Sequence, residues 1–123
     1  MEKKLRAFVE LARKDNDIAG AILFGSRAKG TETKASDTDI CIFVRRTFKG
    51  RMTKKRLQYM EEGLDVHIFQ QLPVYMKARV LKEGKTLFIS DKNDMYDAAF
   101  DAIKEFEYFK PRYDMIIESV VRG

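Results

Sequence analysis

Apolar and polar positions follow two different periods along this chain. From Lys3 to Lys14, the residues Leu5, Phe8, Val9, Leu11 and Ala12 recur at helical spacing and predict an opening helix. Asp15-Asn16-Asp17 then marks a turn. Ile18 to Phe24 is an almost uninterrupted apolar run, as expected of a strand buried on both faces. Asp37 to Val44 predicts a second strand, and Leu64 to Phe69 alternates as a third. Between these two strands, Thr53 to Glu62 is ambiguous. Leu57, Met60 and Glu61 slightly favour a helix there, and Gly63 breaks the pattern.

Leu72-Pro73 opens a helix, with proline early in the first turn. That helix carries Val74, Met76, Val80 and Leu81 to Lys82, with Gly84 as its terminator. Thr86 to Ile89 is a short final strand or an extended tail. Asp94 to about Lys110 is the longest helical candidate, bearing Met95, Ala98, Ala99, Ala102, Ile103, Phe106 and Phe109. Pro111 is expected to kink or end it, with a helix resuming over Tyr113 to Val121. The sum is an α+β protein, a small mixed β-sheet with helices packed on it. Residues 1–123 are expected to form one domain, with a core at 18–90 and a C-terminal helical extension at 94–122.

Composition narrows the class. At 123 residues and 45% hydrophobic, the chain can bury one core. No apolar run approaches the ~20 residues needed to span a bilayer, and the charged start is no secretory signal. Cys41 is the only cysteine, so no internal disulfide forms and a cytoplasmic location is expected. The net charge of +5 is unevenly placed: Arg45, Arg46, Lys49, Arg51, Lys54, Lys55 and Arg56 lie together without an acidic residue among them. This segment is either a solvated loop or an electropositive rim for a nucleoside triphosphate or RNA, and charge alone leaves both open.

The candidate chemistry sits between the first two strands. Gly25-Ser26-Arg27-Ala28-Lys29-Gly30 follows strand one, and Ser26 can cap a short helix that Gly30 closes. Thr31 to Ser36 reads as a polar loop. Such a turn presents backbone N–H groups to a phosphate. Gly25 permits close backbone approach, Ser26 adds a hydroxyl, and Arg27 and Lys29 can neutralise a triphosphate. Asp37 and Asp39, at i and i+2 on a strand, point to one face. Mg²⁺ takes hard oxygen ligands, and two divalent ions about 3.5–4 Å apart can stabilise both the entering and the leaving oxygens of phosphoryl chemistry. A third carboxylate is then expected on a neighbouring strand. Asp65 fits, because a charge in that apolar strand is costly without a partner. It could hold the catalytic metal and help deprotonate an attacking hydroxyl.

Gly25-Ser26, ten residues, then Asp37-x-Asp39 resembles the signature of the DNA polymerase β-like nucleotidyltransferase superfamily. The Gly-Ser-Arg-Ala-Lys-Gly form and the short chain resemble its minimal nucleotidyltransferase (MNT) branch. Asp65 in Leu-Asp-Val matches that family's third carboxylate. The resemblance runs over roughly residues 18 to 90, including Leu72-Pro73 and Leu81 to Phe88. It implies the polymerase β-like fold, two Mg²⁺ ions and ATP as substrate. It further implies the antitoxin of a toxin–antitoxin pair, transferring AMP from ATP to a tyrosine of a HEPN-domain ribonuclease toxin. The short chain has little room for an acceptor-binding domain, which favours an acceptor brought by a partner.

Other residues have plainer readings beside sharper ones. His67 shares the strand face of Asp65 and is more simply a structural, hydrogen-bonded histidine than a contact to nucleotide or acceptor. Cys41 shares the face of Asp37 and Asp39, but a thiolate suits Mg²⁺ poorly, so a buried packing thiol is expected. Phe100, Phe106, Tyr108, Phe109 and Tyr113 would mostly cover the core, and any left exposed would mark a protein interface. Two other functions stay open. One is an antitoxin acting by stoichiometric contact alone, and the other is a transferase for a small molecule or an RNA end. Base preference, acceptor and oligomeric state are not legible.

Overall fold

The computed structural model describes residues 2–25, 30 and 38–122. Helix α1 (Glu2–Arg13) stops at a turn in which the Asp17 N–H donates to Asp15 Oδ1 at 2.9 Å. Strand β1 (Ile18–Phe24) follows, then β2 (Thr38–Val44), α2 (Met52–Tyr59) and β3 (Leu64–Ile68). The ambiguous stretch is thus a helix, shorter than its polar pattern suggested. A single 3₁₀ turn (Phe69–Gln71) leads to α3 (Val74–Glu83), β4 (Lys85–Ile89) and α4 (Lys92–Arg122). The segment after α3 is a strand and not an extended tail.

The sheet order is β3-β2-β1-β4. β1 runs antiparallel to both β2 and β4, whereas β2 and β3 are parallel and joined through α2. This mixed sheet has helices on both faces, which explains the apolar runs of its central strands. On one face Ile40, Ile42 and Val44 of β2 and Leu64, Val66 and Ile68 of β3 pack with Phe8 and Ala12 of α1 and Tyr59 of α2. On the other, Cys41 and Phe43 pack with Phe69, Val80 of α3, and Met95 and Ala102 of α4. Asp39, Asp65 and His67 alternate out of step with the first set and so lie on the second face.

α4 departs from expectation. It does not end at Pro111 but continues as one helix of 31 residues. Proline forfeits its own N–H bond, but every residue from Glu107 to Arg122 is exposed, so water can serve the released carbonyl. Asp91 starts the helix by accepting the Asp94 N–H at 3.0 Å. Beyond Lys110 the helix leaves the sheet. Met115, Val120 and Val121 are 70%, 72% and 79% exposed, and Phe100, Tyr108, Phe109 and Tyr113 are also exposed. Only Phe106 of the five aromatics named above is partly covered, stacked edge-on to Tyr75. These side chains therefore do not mainly cover the core.

Much of the basic segment is held within the fold. Arg45 contacts the Ile18 carbonyl and Asp91, Arg46 pairs with Asp94 and Asp97, and Lys55 is buried between Asp15 and Asp17. Arg56 donates to the Val66 carbonyl at 2.5 Å. Lys49, Arg51 and Lys54 face solvent.

Candidate functional site

Strand register builds the site. β2 and β3 pair in parallel with Asp39 directly opposite Asp65, and Cys41 opposite His67. Equivalent residues of paired strands point the same way, so the two carboxylates stand side by side. Ligand atoms of Asp39, Asp65 and His67 all lie within 4.8 Å of one another. This is a donor set suited to a divalent cation.

Gly25 closes the site from β1, where Phe24 pairs with Asp39 across the antiparallel ladder. It has φ +78°, a conformation that favours glycine, and a Cβ there would stand 2.3 Å from Asp39 Oδ2. The backbone turn thus abuts the carboxylate. The other residues named from the motif, Ser26, Arg27, Lys29 and Asp37, lie outside the described residues, as does the helix expected at Arg27 to Lys29. Gly30 also has a positive φ, of 74°, with open space around its α-carbon.

Asp65 is 36% exposed and touched on both sides. His67 Nε2 lies 3.0 Å from Oδ2, and the Arg56 guanidinium lies 3.7 Å from Oδ1. His67 is therefore hydrogen-bonded, as its plainer reading held, and the Phe24 ring meets it edge-on at 5.8 Å between centroids. Arg56 was legible only as one of a basic cluster. No local spacing announces its approach to Asp65, because α2 must first fold back over β3. Cys41 is fully buried, and burial pushes its thiol well above the ordinary value, so it is a packing residue.

A groove of about 670 Å³ lies between α3 and α4, lined by Tyr75, Leu81, Ile103 and Phe106. It contains none of Asp39, Asp65 and His67. The candidate metal-binding group therefore lies apart from this groove.

A mixed sheet carrying a glycine turn against paired carboxylates is the frame of a nucleotidyltransferase, and the chain belongs to the family described as Polymerase beta, Nucleotidyltransferase, matched over residues 7–93. A Methanocaldococcus jannaschii protein provisionally named a protein adenylyltransferase is 37% identical over 73 residues, 58% of this chain and 56% of that protein. The chain thus spans about half the length of that relative. The fold is also that of a chain in a toxin–antitoxin complex crystallised with AMP-PNP, at TM-score 0.74 and 20% identity over 98% of both chains. A chain in the complex of the tri-AMPylated Shewanella oneidensis HEPN toxin with its MNT antitoxin matches at TM-score 0.70 and 17% identity, again over 98% of both. Among the described residues, no helix is long and apolar enough to cross a membrane.

Proposed function

We propose that this protein is a Mg²⁺-dependent adenylyltransferase that moves AMP from ATP to a hydroxyl with release of pyrophosphate, the acceptor being a tyrosine of a HEPN-type toxin partner. The observation that carries it is the Asp39–Asp65 pair in register on β2 and β3, abutted by the Gly25 turn. Asp39 and Asp65, together with Asp37, would hold the metal ions, which supply charge stabilisation for the α-phosphate and for the entering and leaving oxygens. Gly25, Ser26, Arg27 and Lys29 would bind the triphosphate. Asp65, fixed by its contacts, would also help accept the proton of the attacking hydroxyl.

The partner half of the proposal is supported by α4. A soluble domain seldom leaves so many large apolar side chains on one free helix, and such a surface suits a protein. Neighbours that carry the same fold include chains of toxin–antitoxin complexes.

The test is incubation of the full chain with labelled ATP, Mg²⁺ and the product of the neighbouring gene. Label is expected on a partner tyrosine, and Asp39→Asn should abolish it. Absence of transfer, with Asp39→Asn still neutralising the partner, would establish stoichiometric contact in its place. Transfer to RNA in the absence of a protein acceptor would point instead to an RNA-end transferase.

A further inference from the structure

The geometry points to His67 as a metal ligand, completing with Asp39 and Asp65 a mixed nitrogen–oxygen site that favours Mn²⁺ over Mg²⁺. This inference rests on the metal site proposed above and goes beyond it by adding a nitrogen ligand to the carboxylates.

Three observations converge on the imidazole. Its Nε2 lies 3.0 Å from Asp65 Oδ2, and one ligand atom from each of Asp39, Asp65 and His67 falls within 4.8 Å of the others. Ligand atoms about 2.1 Å from one ion lie at most about 4.2 Å apart across it, so side-chain shifts below an ångström close the set. Phe24, packed edge-on, limits the tilt of the ring. Arg56 approaches Asp65 at Oδ1, which leaves Oδ2 as the oxygen beside the imidazole. In the structure Nε2 meets this oxygen in a hydrogen bond, and in the tautomer with its proton on Nδ1 the Nε2 lone pair faces the same space.

Ligand type then decides the ion. Imidazole suits transition ions, whereas Mg²⁺ holds to oxygen donors and its waters. Mn²⁺ shares with Mg²⁺ the preference for carboxylate and phosphate oxygens in an octahedron, but as a first-row transition ion it also takes an imidazole nitrogen, more weakly than the later members of that series.

The chain contains one histidine, so in tag-free protein any histidine signal is from His67. The full chain is loaded with Mn²⁺ and a non-hydrolysable ATP analogue, and electron spin-echo modulation is recorded from the bound ion. A ¹⁴N coupling is expected, converting to ¹⁵N when the protein is grown on ¹⁵N-histidine, a readout that needs no variant to fold. His67→Gln should remove it and weaken Mn²⁺ binding at least about tenfold, the lower end of what even outer partners of a metal contribute. Its Mg²⁺ affinity should change less than about twofold. Bound Mn²⁺ with no histidine coupling, or equal Mn²⁺ affinity in His67→Gln, overturns the assignment and leaves the carboxylate site standing. No bound Mn²⁺ in the wild-type chain removes the metal site itself, and the proposed transfer chemistry with it.

Discussion

The α-carbon of Gly25 lies so near Asp39 that a Cβ on it would stand 2.3 Å from the carboxylate oxygen Oδ2. The glycine that follows β1 is thus required twice, by its φ of +78° and by the acidic side chain of Asp39 beside it. Gly25→Ala is expected to push Asp39 out of register with Asp65. The backbone strain should cost about 1–2 kcal/mol in a thermal melt. Nucleotidyl transfer should fall at least about a hundredfold, because a displacement near 1 Å has that effect on a positioned group.

Asp65 is contacted by His67 and Arg56, and the Arg56 contact can be tested apart from the carboxylate itself. Arg56→Gln is expected to lower transfer about tenfold with little change in ATP affinity, because it touches Asp65 and not the Gly25 turn. Asp65→Asn should lower transfer at least about a hundredfold, the order seen when a preorganised electrostatic group is removed. Single-turnover rates with the labelled partner, alongside equilibrium ATP binding, check both.

A second polar cluster lies at the opposite end of β1. Lys55, 8% exposed, bridges Asp15 and Asp17, and the Tyr59 hydroxyl donates to Asp15. Burial alone would raise the Asp15 carboxyl. The hydrogen bonds from Tyr59, the Asp17 backbone and Lys55 outweigh it and hold the group below its ordinary 3.8. This stabilisation is complete above 3.8 and is lost as pH falls through the lower folded value. Burial pulls Lys55 down, but the two aspartates hold it above its ordinary 10.5. Its contribution is complete below 10.5 and is lost as pH rises through the folded value. Stability from this cluster should therefore be flat between about pH 4 and 10 and decline on both sides. Lys55→Met should cost about 3 kcal/mol at pH 7 and reduce the alkaline decline to the part due to Tyr59, which burial and its bond to Asp15 hold above its ordinary value, as urea melts across pH would show.

The outer half of α4 should matter for association and not for folding. Ile116 and Val120 are exposed and touch no core cluster. Ile116→Glu with Val120→Glu is expected to leave stability within about 0.5 kcal/mol. The same pair should weaken partner binding at least about tenfold, measured by titration calorimetry.

Pro111→Ala gives the complementary test of the unbroken helix. Restoring the N–H and removing the ring favours helix by up to about 3 kcal/mol. Slower amide exchange is expected over residues 107–122, with the sheet unchanged.

The strands were legible because their signals are local. Ile18 to Phe24 is apolar on both faces, and Leu64 to Ile68 alternates, so either segment declares itself without its neighbours. Asp39 and Asp65 were legible for a related reason, since a carboxylate in an apolar strand needs a purpose. The fate of Phe100, Tyr108 and Tyr113 was not legible. Helical spacing shows which residues share a face, but not whether a sheet extends far enough to cover it. Pro111 misled in the same way, because the cost of a broken hydrogen bond depends on whether water can reach the carbonyl.

By itself the sequence pointed to the family, to the first three strands, and to Asp39 and Asp65 as the paired carboxylates of a candidate site. These follow from residue type and short-range spacing, which act before the chain folds. Only the tertiary structure decided that Asp39 stands opposite Asp65, that Gly25 abuts Asp39, and that Arg56 and His67 hold Asp65 from two sides. Those relations depend on the parallel pairing of β2 with β3 and on α2 folding back over them. They join residues distant in the chain, and no local pattern encodes their meeting.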